Sequence, residues 1–233
     1  MTYTTDRDTS ALIDEPSSGL SYRVRDARTD TSAKARLLLL HGVGSNETNL
    51  EAVATSVDPR VQVVLVRGPL RFATSQYGWF EVNFQTGVPS IDAQQAEKSR
   101  QQLITLVRAL RAQDGANPAR TVIAGFSQGG ILSASVGLSA PDDVAGFAIL
   151  SGRILPELEP HIAPREALTK LSAFIAHGRF DNKLPIEWAE RADHWLTALG
   201  VPHRTARYPM GHELNTDVVA DFNQWLIEPL LLA

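Results

Sequence analysis

The chain has 233 residues, 43% apolar and 21% charged, which is enough to bury one sizeable core. A formal charge of -4 with no Lys/Arg cluster gives no electrostatic footprint for nucleic acid or an anionic membrane surface. The absence of cysteine excludes disulfides, a thiolate nucleophile and zinc ribbons.

Met1 to Gly19 is rich in Thr, Ser and Asp and lacks both the basic start and the apolar run of a secretory signal. It is read as a polar N-terminal arm (1–19) ahead of a single domain (20–233), with a cytoplasmic location expected. No apolar run reaches the roughly 18 residues a membrane span needs, so stable membrane insertion is not expected.

Short apolar runs then alternate with stretches of helical period, the pattern of an α/β protein whose strands are buried on both faces. Strands are predicted at Ser21 to Arg25, Arg36 to His41, Val61 to Val66, Thr121 to Phe126, Ala145 to Ser151, Ser172 to His177 and Arg204 to Tyr208. A helix is predicted from about Ile91 to Ala112, where Leu103, Leu106, Val107 and Leu110 form one face. Gly130 to Ala140 reads as a second helix. A third, started by Pro185 and stopped by Gly200, carries Trp188, Ala192, Trp195, Leu196 and Leu199 as its core stripe. The last carries Val218, Phe222, Trp225 and Leu226 and ends near Pro229.

Two stretches break the alternation, Arg67 to Pro89 and Arg153 to Pro164. Both follow predicted strands, and loops at the carboxyl edge of a parallel sheet are where ligands bind. Tyr77, Trp79, Phe80 and Phe84 are therefore candidates for a moderately apolar substrate pocket, as is Leu184 further along. Arg67 and Arg153 are read first as salt-bridge residues and second as receivers of an acidic substrate group.

Gly125-Phe126-Ser127-Gln128-Gly129 matches G-x-S-x-G between a predicted strand and a predicted helix. The glycines two before and two after Ser127 leave room for a serine in strained backbone geometry. A serine hydroxyl needs a base, and the base needs a third group to fix its tautomer. Of His41, His161, His177, His194, His203 and His212, only His212 follows the last strand, in Pro209-Met210-Gly211-His212-Glu213. Asp181, after the strand ending at His177, fits the order Ser, Asp, His. Asp142, Asp143, Glu157 and Glu213 are less well placed alternatives.

The oxyanion of an acyl transfer would be held by the N–H of Gln128 and a donor from Leu40-His41-Gly42-Val43-Gly44, first Val43 and failing that Gly44. His41 is read as a structural residue that hydrogen-bonds this turn. No HExxH, ligand-spaced cluster, Walker loop or GxGxxG is present, so no metal or cofactor is implied.

These motifs, with Arg67-Gly68-Pro69, Tyr77-Gly78-Trp79-Phe80, Leu150-Ser151-Gly152, His177-Gly178 and Gly211-His212, resemble the phospholipase/carboxylesterase family of α/β-hydrolases, which includes the acyl-protein thioesterases. The resemblance runs from about Ala35 to the C-terminus. It implies an α/β-hydrolase fold with a mostly parallel central sheet of about seven strands, helices on both faces and no large lid. It also implies a Ser127–Asp181–His212 triad, an oxyanion hole at Val43 and Gln128, and hydrolysis of small carboxylic esters, with thioesters, lysophospholipids or lactones as competing substrates. The Gly44-Ser45-Asn46-Glu47 segment departs from the thioesterase branch. A non-catalytic small-molecule receptor on the same scaffold is the other class of reading, and a monomer or weak homodimer is expected.

Overall fold

The turn Glu15-Pro16-Ser17-Ser18-Gly19 starts the sheet earlier than the sequence suggests. In the computed structural model, which describes residues 9–28, 35–83, 90–114 and 120–230, strand β1 (Ile13–Glu15) pairs antiparallel with β2 (Leu20–Arg25). The buried Glu15 carboxylate accepts from the Ser17 N–H at 3.1 Å and the Ser18 N–H at 2.7 Å. Burial alone would raise the Glu15 pKa, but these bonds and those of the serine hydroxyls bring it down to about 2. Residues 13–15, expected within a polar arm, therefore form an edge strand, because a carboxylate at the strand end closes its own turn. A proline followed by two serines and a glycine was the available signal.

The chain continues through β3 (Ala35–Leu40), α1 (Glu51–Ser56), β4 (Val61–Arg67), the hairpin of β5 (Leu70–Ala73) and β6 (Gln76–Gly78), and the short pair β7 (Val82–Asn83) and β8 (Ser90–Ile91). Then follow α2 (Ala93–Asp114), β9 (Thr121–Phe126), α3 (Gln128–Ser139), β10 (Gly146–Leu150), α4 (Arg165–Leu168), β11 (Ser172–Gly178), α5 (Glu187–Leu199), β12 (His203–Tyr208) and α6 (Thr216–Leu226). The main sheet has eight strands in the order β1-β2-β4-β3-β9-β10-β11-β12. It is parallel from β4 to β12, and only β1 and β2 run against their neighbours.

Period-two alternation sorts the apolar side chains onto two faces. Leu38 and Leu40 of β3, Ile123 of β9 and Ile175 of β11 join one core with Leu103 and Leu106 of α2, Leu132 of α3 and Leu196 of α5. Leu37, Leu39, Val122 and Phe174 join the other, covered by Val53 of α1 and by Phe222 and Trp225 of α6. The buried stripe of α5 is Ala189, Ala192 and Leu196, one position away from the expected Trp188, which is only half-buried. Both cations near Trp188 sit over its ring, so the indole packs against guanidinium groups instead of the core.

The register aligns Leu40, Gly125 and Ile149 across three strands, and His177 with Arg207. The loops that follow β3, β9, β10, β11 and β12 therefore emerge at one carboxyl edge. Of the two irregular stretches, the described part of Arg67 to Pro89 holds the β5–β6 hairpin and β7, which pairs with β8 just beyond it, and Arg153 to Pro164 contains a 3-10 turn at Pro156–His161. Phe84 lies outside the described residues.

Candidate active site

Ser127 occupies the turn between β9 and α3 at φ 55°, ψ -117°, a conformation that L-residues adopt only under constraint. What enforces it is the closeness of the flanking backbone. A Cβ at Gly129 would lie 2.0 Å from the Leu40 carbonyl oxygen, and one at Gly125 would lie 2.3 Å from the Gly129 carbonyl carbon. The two motif glycines thus let β3, β9 and α3 close on one another, and the serine is left at the apex.

His212 Nε2 is 3.0 Å from Ser127 Oγ, and His212 Nδ1 is 2.6 Å from Asp181 Oδ2. The second oxygen of Asp181 accepts the backbone N–H groups of Lys183 at 2.8 Å and Leu184 at 2.9 Å, so the carboxylate is fixed by its own loop. That loop and the His212 loop are tied by Phe180 N–H to Met210 O at 3.0 Å. Gly178 must lack a side chain there, since a Cβ would meet the Gly211 carbonyl oxygen at 2.3 Å. The Phe126 ring lies 4.8 Å from the imidazole, centroid to centroid, and supports it from the nucleophile strand. A hydroxyl, an imidazole and a buried carboxylate in this order can pass the hydroxyl proton to the ring while the carboxylate holds the Nδ1 proton.

His177 backs this arrangement. Its Nε2 is 2.7 Å from the Leu184 carbonyl and 3.4 Å from Asp181 Oδ2, whereas its buried Nδ1 has no partner among the described residues. Burial pushes its pKa down, and a second ring proton would find no acceptor.

Two backbone donors face no protein acceptor among the described residues, the N–H of Val43 and that of Gln128 at the first turn of α3. Gly44, the fallback donor, gives its N–H to the Tyr77 carbonyl at 2.8 Å instead. The residue 42–44 turn is held from beneath by His41. Its Nδ1 bonds the Gly42 carbonyl at 2.7 Å, its Nε2 accepts the Gly68 N–H at 2.9 Å, and its carbonyl accepts Trp79 Nε1 at 2.9 Å. Burial holds the His41 pKa below its usual value.

Of the residues expected to line a pocket, Tyr77 on β6 and Leu184 in the Asp181 loop are bonded to this site, while Trp79 and Phe80 do not offer any surface. Both are 0% exposed and belong to the core. Large rings gain most from full burial, and the Gln128 side chain pins their backbone, accepting from the Trp79 N–H at 3.1 Å and donating to the Phe80 carbonyl at 2.8 Å. Arg67 is also engaged elsewhere. It grips the buried Glu47 carboxylate at 2.6 and 2.7 Å, beside Arg23 at 2.9 Å, and covers the Tyr77 ring at 4.6 Å.

Three large apolar side chains on these loops and hairpins stay exposed, and two of them, Phe72 and Phe180, the sequence did not single out. Phe180 is 69% exposed beside Asp181, Phe72 is 43% exposed on β5, and Val43 is 48% exposed. A groove of about 650 Å³ adjoins His212 and Phe126, walled by Leu50, Val53, Leu214 and Val219. Exposed aromatics in separate segments leave no pattern in a sequence, because exposure depends on what the fold packs around them.

Residues 27–228 match the family model described as phospholipase/carboxylesterase, which covers most of the chain. The chain belongs to the phospholipase/carboxylesterase family. Among its relatives is acyl-protein thioesterase 1 of Emericella nidulans, 26% identical over 221 residues, spanning 82% of this chain and 89% of that protein. The carboxylesterase SOBER1 of Arabidopsis thaliana is 28% identical over 212 residues, spanning 83% and 90%. Among solved structures, a carboxylesterase from Mesorhizobium loti superposes with a TM-score of 0.79 at 22% identity, over 94% of this chain and 99% of that one. Esterase PE8 superposes with a TM-score of 0.79 at 27% identity, over 91% and 99%. The family's α/β-hydrolase fold is the one seen here, with a mostly parallel sheet, helices on both faces and no large lid. Among the described residues no helix is long and apolar enough to cross a membrane.

Proposed function

We propose that this chain is a serine carboxylesterase acting on small-molecule esters, with Ser127 as nucleophile, His212 as base and Asp181 as the group that orients the histidine. The observation that carries this reading is the continuous hydrogen-bonded chain from Ser127 Oγ through both ring nitrogens of His212 to Asp181.

Ser127 Oγ attacks the ester carbonyl carbon as its proton moves to His212 Nε2. The tetrahedral oxyanion accepts the Val43 and Gln128 N–H groups, which have no competing acceptor among the described residues. The bond to the alcohol oxygen breaks as the imidazolium returns its proton to that oxygen. Water then attacks the acyl–serine ester, giving its proton to His212, and Ser127 is restored as the acid leaves. The groove beside His212, walled by Leu50, Val53, Leu214 and Val219, suits an acyl or alcohol group of moderate hydrophobicity. Relatives named as thioesterases make thioester cleavage the second reading, since the same steps expel a thiol in place of an alcohol.

A fluorophosphonate probe should label the protein once, and Ser127→Ala should remove both the label and the burst of nitrophenolate from a para-nitrophenyl ester. A protein that neither labels nor turns over any ester or thioester would be a binding scaffold, and the proposal would be withdrawn.

A further inference from the structure

Arg153 follows β10 by three residues, and the turn between them brings it to the site. Ser151 takes φ 50°, and Gly152 then passes against the nucleophile, where a Cβ would lie 3.0 Å from the Ser127 carbonyl oxygen. From there the Arg153 guanidinium sits 4.4 Å from the centre of the Trp188 ring, at the start of the helix that the Asp181 loop leads into. Arg191, one turn further along that helix, lies 4.9 Å from the same ring.

Neither guanidinium has a carboxylate or any hydrogen-bond acceptor among the described residues. Other buried or partly buried arginines are satisfied, since Arg23 and Arg67 close on Glu47, Arg100 on Glu97 and Arg111 on Asp143. Arg153 is half-buried, and none of its nitrogens is sealed from solvent. Burial pushes its pKa down, and only Glu157, acting at longer range, opposes that. Two like charges held at one aromatic ring repel each other, and a partly desolvated cation without a counterion is costly. An anion shared between them relieves both penalties.

We propose that the Arg153–Trp188–Arg191 stack is a subsite for an oxyanion group of the substrate, a carboxylate or a phosphate carried on the same molecule as the bond that Ser127 cleaves. The inference rests on the hydrolase reading for its substrate, but not for the anion binding itself. It narrows the substrate class to acidic esters, with the indole packing against the carbon chain between the anion and the scissile group.

The test compares the mono-para-nitrophenyl ester of adipic acid with para-nitrophenyl hexanoate, a neutral ester of equal acyl length. The wild type should favour the acidic ester in kcat/KM, and Arg153→Gln should lower that selectivity ratio about tenfold or more, mainly through KM, as expected for loss of a charge-assisted contact. Arg153→Lys should recover part of the ratio. Arg191→Gln, at an exposed position, should shift it the same way by a smaller factor even if Arg153→Gln disturbs the loop. If both esters lose rate in step, the stack only holds the loop and the proposal fails; an unchanged ratio overturns it equally. Titration calorimetry with adipate and with inorganic phosphate separates the two anions and needs no turnover. Heat of binding that disappears in Arg153→Gln supports the subsite even if no ester is cleaved, and no binding of either anion to the wild type overturns it.

Discussion

His212 Nδ1 and Asp181 Oδ2 lie 2.6 Å apart although 31 residues separate them in the chain. The distance is set by backbone bonds, because Lys183 and Leu184 hold one carboxylate oxygen and leave the other for the ring. Asp181→Asn keeps the shape but replaces an acceptor with an amide that can favour the wrong tautomer. Its kcat on a para-nitrophenyl ester is expected to fall about 10³- to 10⁴-fold with little change in thermal stability. Steady-state kinetics beside a melting curve checks this, and a loss below tenfold would remove Asp181 from the proposed triad.

Gln128 joins a proposed backbone donor for the oxyanion to a side-chain amide that locks the Trp79–Phe80 segment. Gln128→Leu leaves a buried N–H and a buried carbonyl without partners, at a cost of about 1–3 kcal/mol for each group. We expect a urea midpoint lowered accordingly, with kcat also reduced because the turn carrying Val43 rests on Trp79 through His41. Gln128→Glu keeps the acceptor for Trp79 but buries a carboxylate against the Phe80 carbonyl, so it should cost at least as much at pH 7.

Gly129→Ala forces a methyl group against the Leu40 carbonyl, where an ideal Cβ would stand at 2.0 Å. A shift of β3 or α3 is unavoidable, so destabilisation of about 3 kcal/mol or more is expected, with most of the protein insoluble on expression. Ser133→Ala, only four positions on, is the contrast. Ser133 Oγ bonds the Ala148 carbonyl at 2.7 Å inside the sheet–helix contact and takes no part in the site, so about 1 kcal/mol should be lost and activity kept.

Acid should destabilise the fold in two steps. Burial lowers the pKa of His41 and His177, so the unfolded chain binds protons that the folded one resists. Their contribution is complete above the unfolded value of 6.5 and declines as the pH falls below it. Glu47 acts lower down. Burial opposes its charge, but the hydrogen bonds of Arg67 and Arg23 win and set its pKa at about 2, against 4.5 for a free glutamate. Its contribution is therefore complete above 4.5 and disappears as the pH falls toward 2. Urea midpoints measured from pH 7 to pH 3 should show both declines. Glu47→Gln should remove part of the lower one while costing about 3 kcal/mol at pH 7, because Arg23 and Arg67 lose their shared partner.

The residues of the proposed triad were legible in the chain because a strand-to-helix glycine pair announces a tight turn, and strand order then limits which aspartate and histidine can follow. The strands themselves were legible from runs such as Leu37 to Leu40, which only a sheet covered on both faces can bury. The Glu15 turn, by contrast, depended on a carboxylate folding back on its own serines, which composition disguised as a polar arm.

By itself the sequence determined the fold class, the order of the chemistry-bearing loops and the candidates proposed as nucleophile, base and acid, since these follow from local periodicity, glycine placement and chain order. Tertiary structure alone decided which aromatics reach solvent and which cations are neutralised. Trp79 and Phe80 vanish into the core, Phe72 and Phe180 stay exposed, Arg67 closes on Glu47, and Arg153 is left on Trp188 without a carboxylate among the described residues. The physical reason is that exposure and charge pairing are properties of neighbours in space, and those neighbours come from loops brought together only by the register of a parallel sheet.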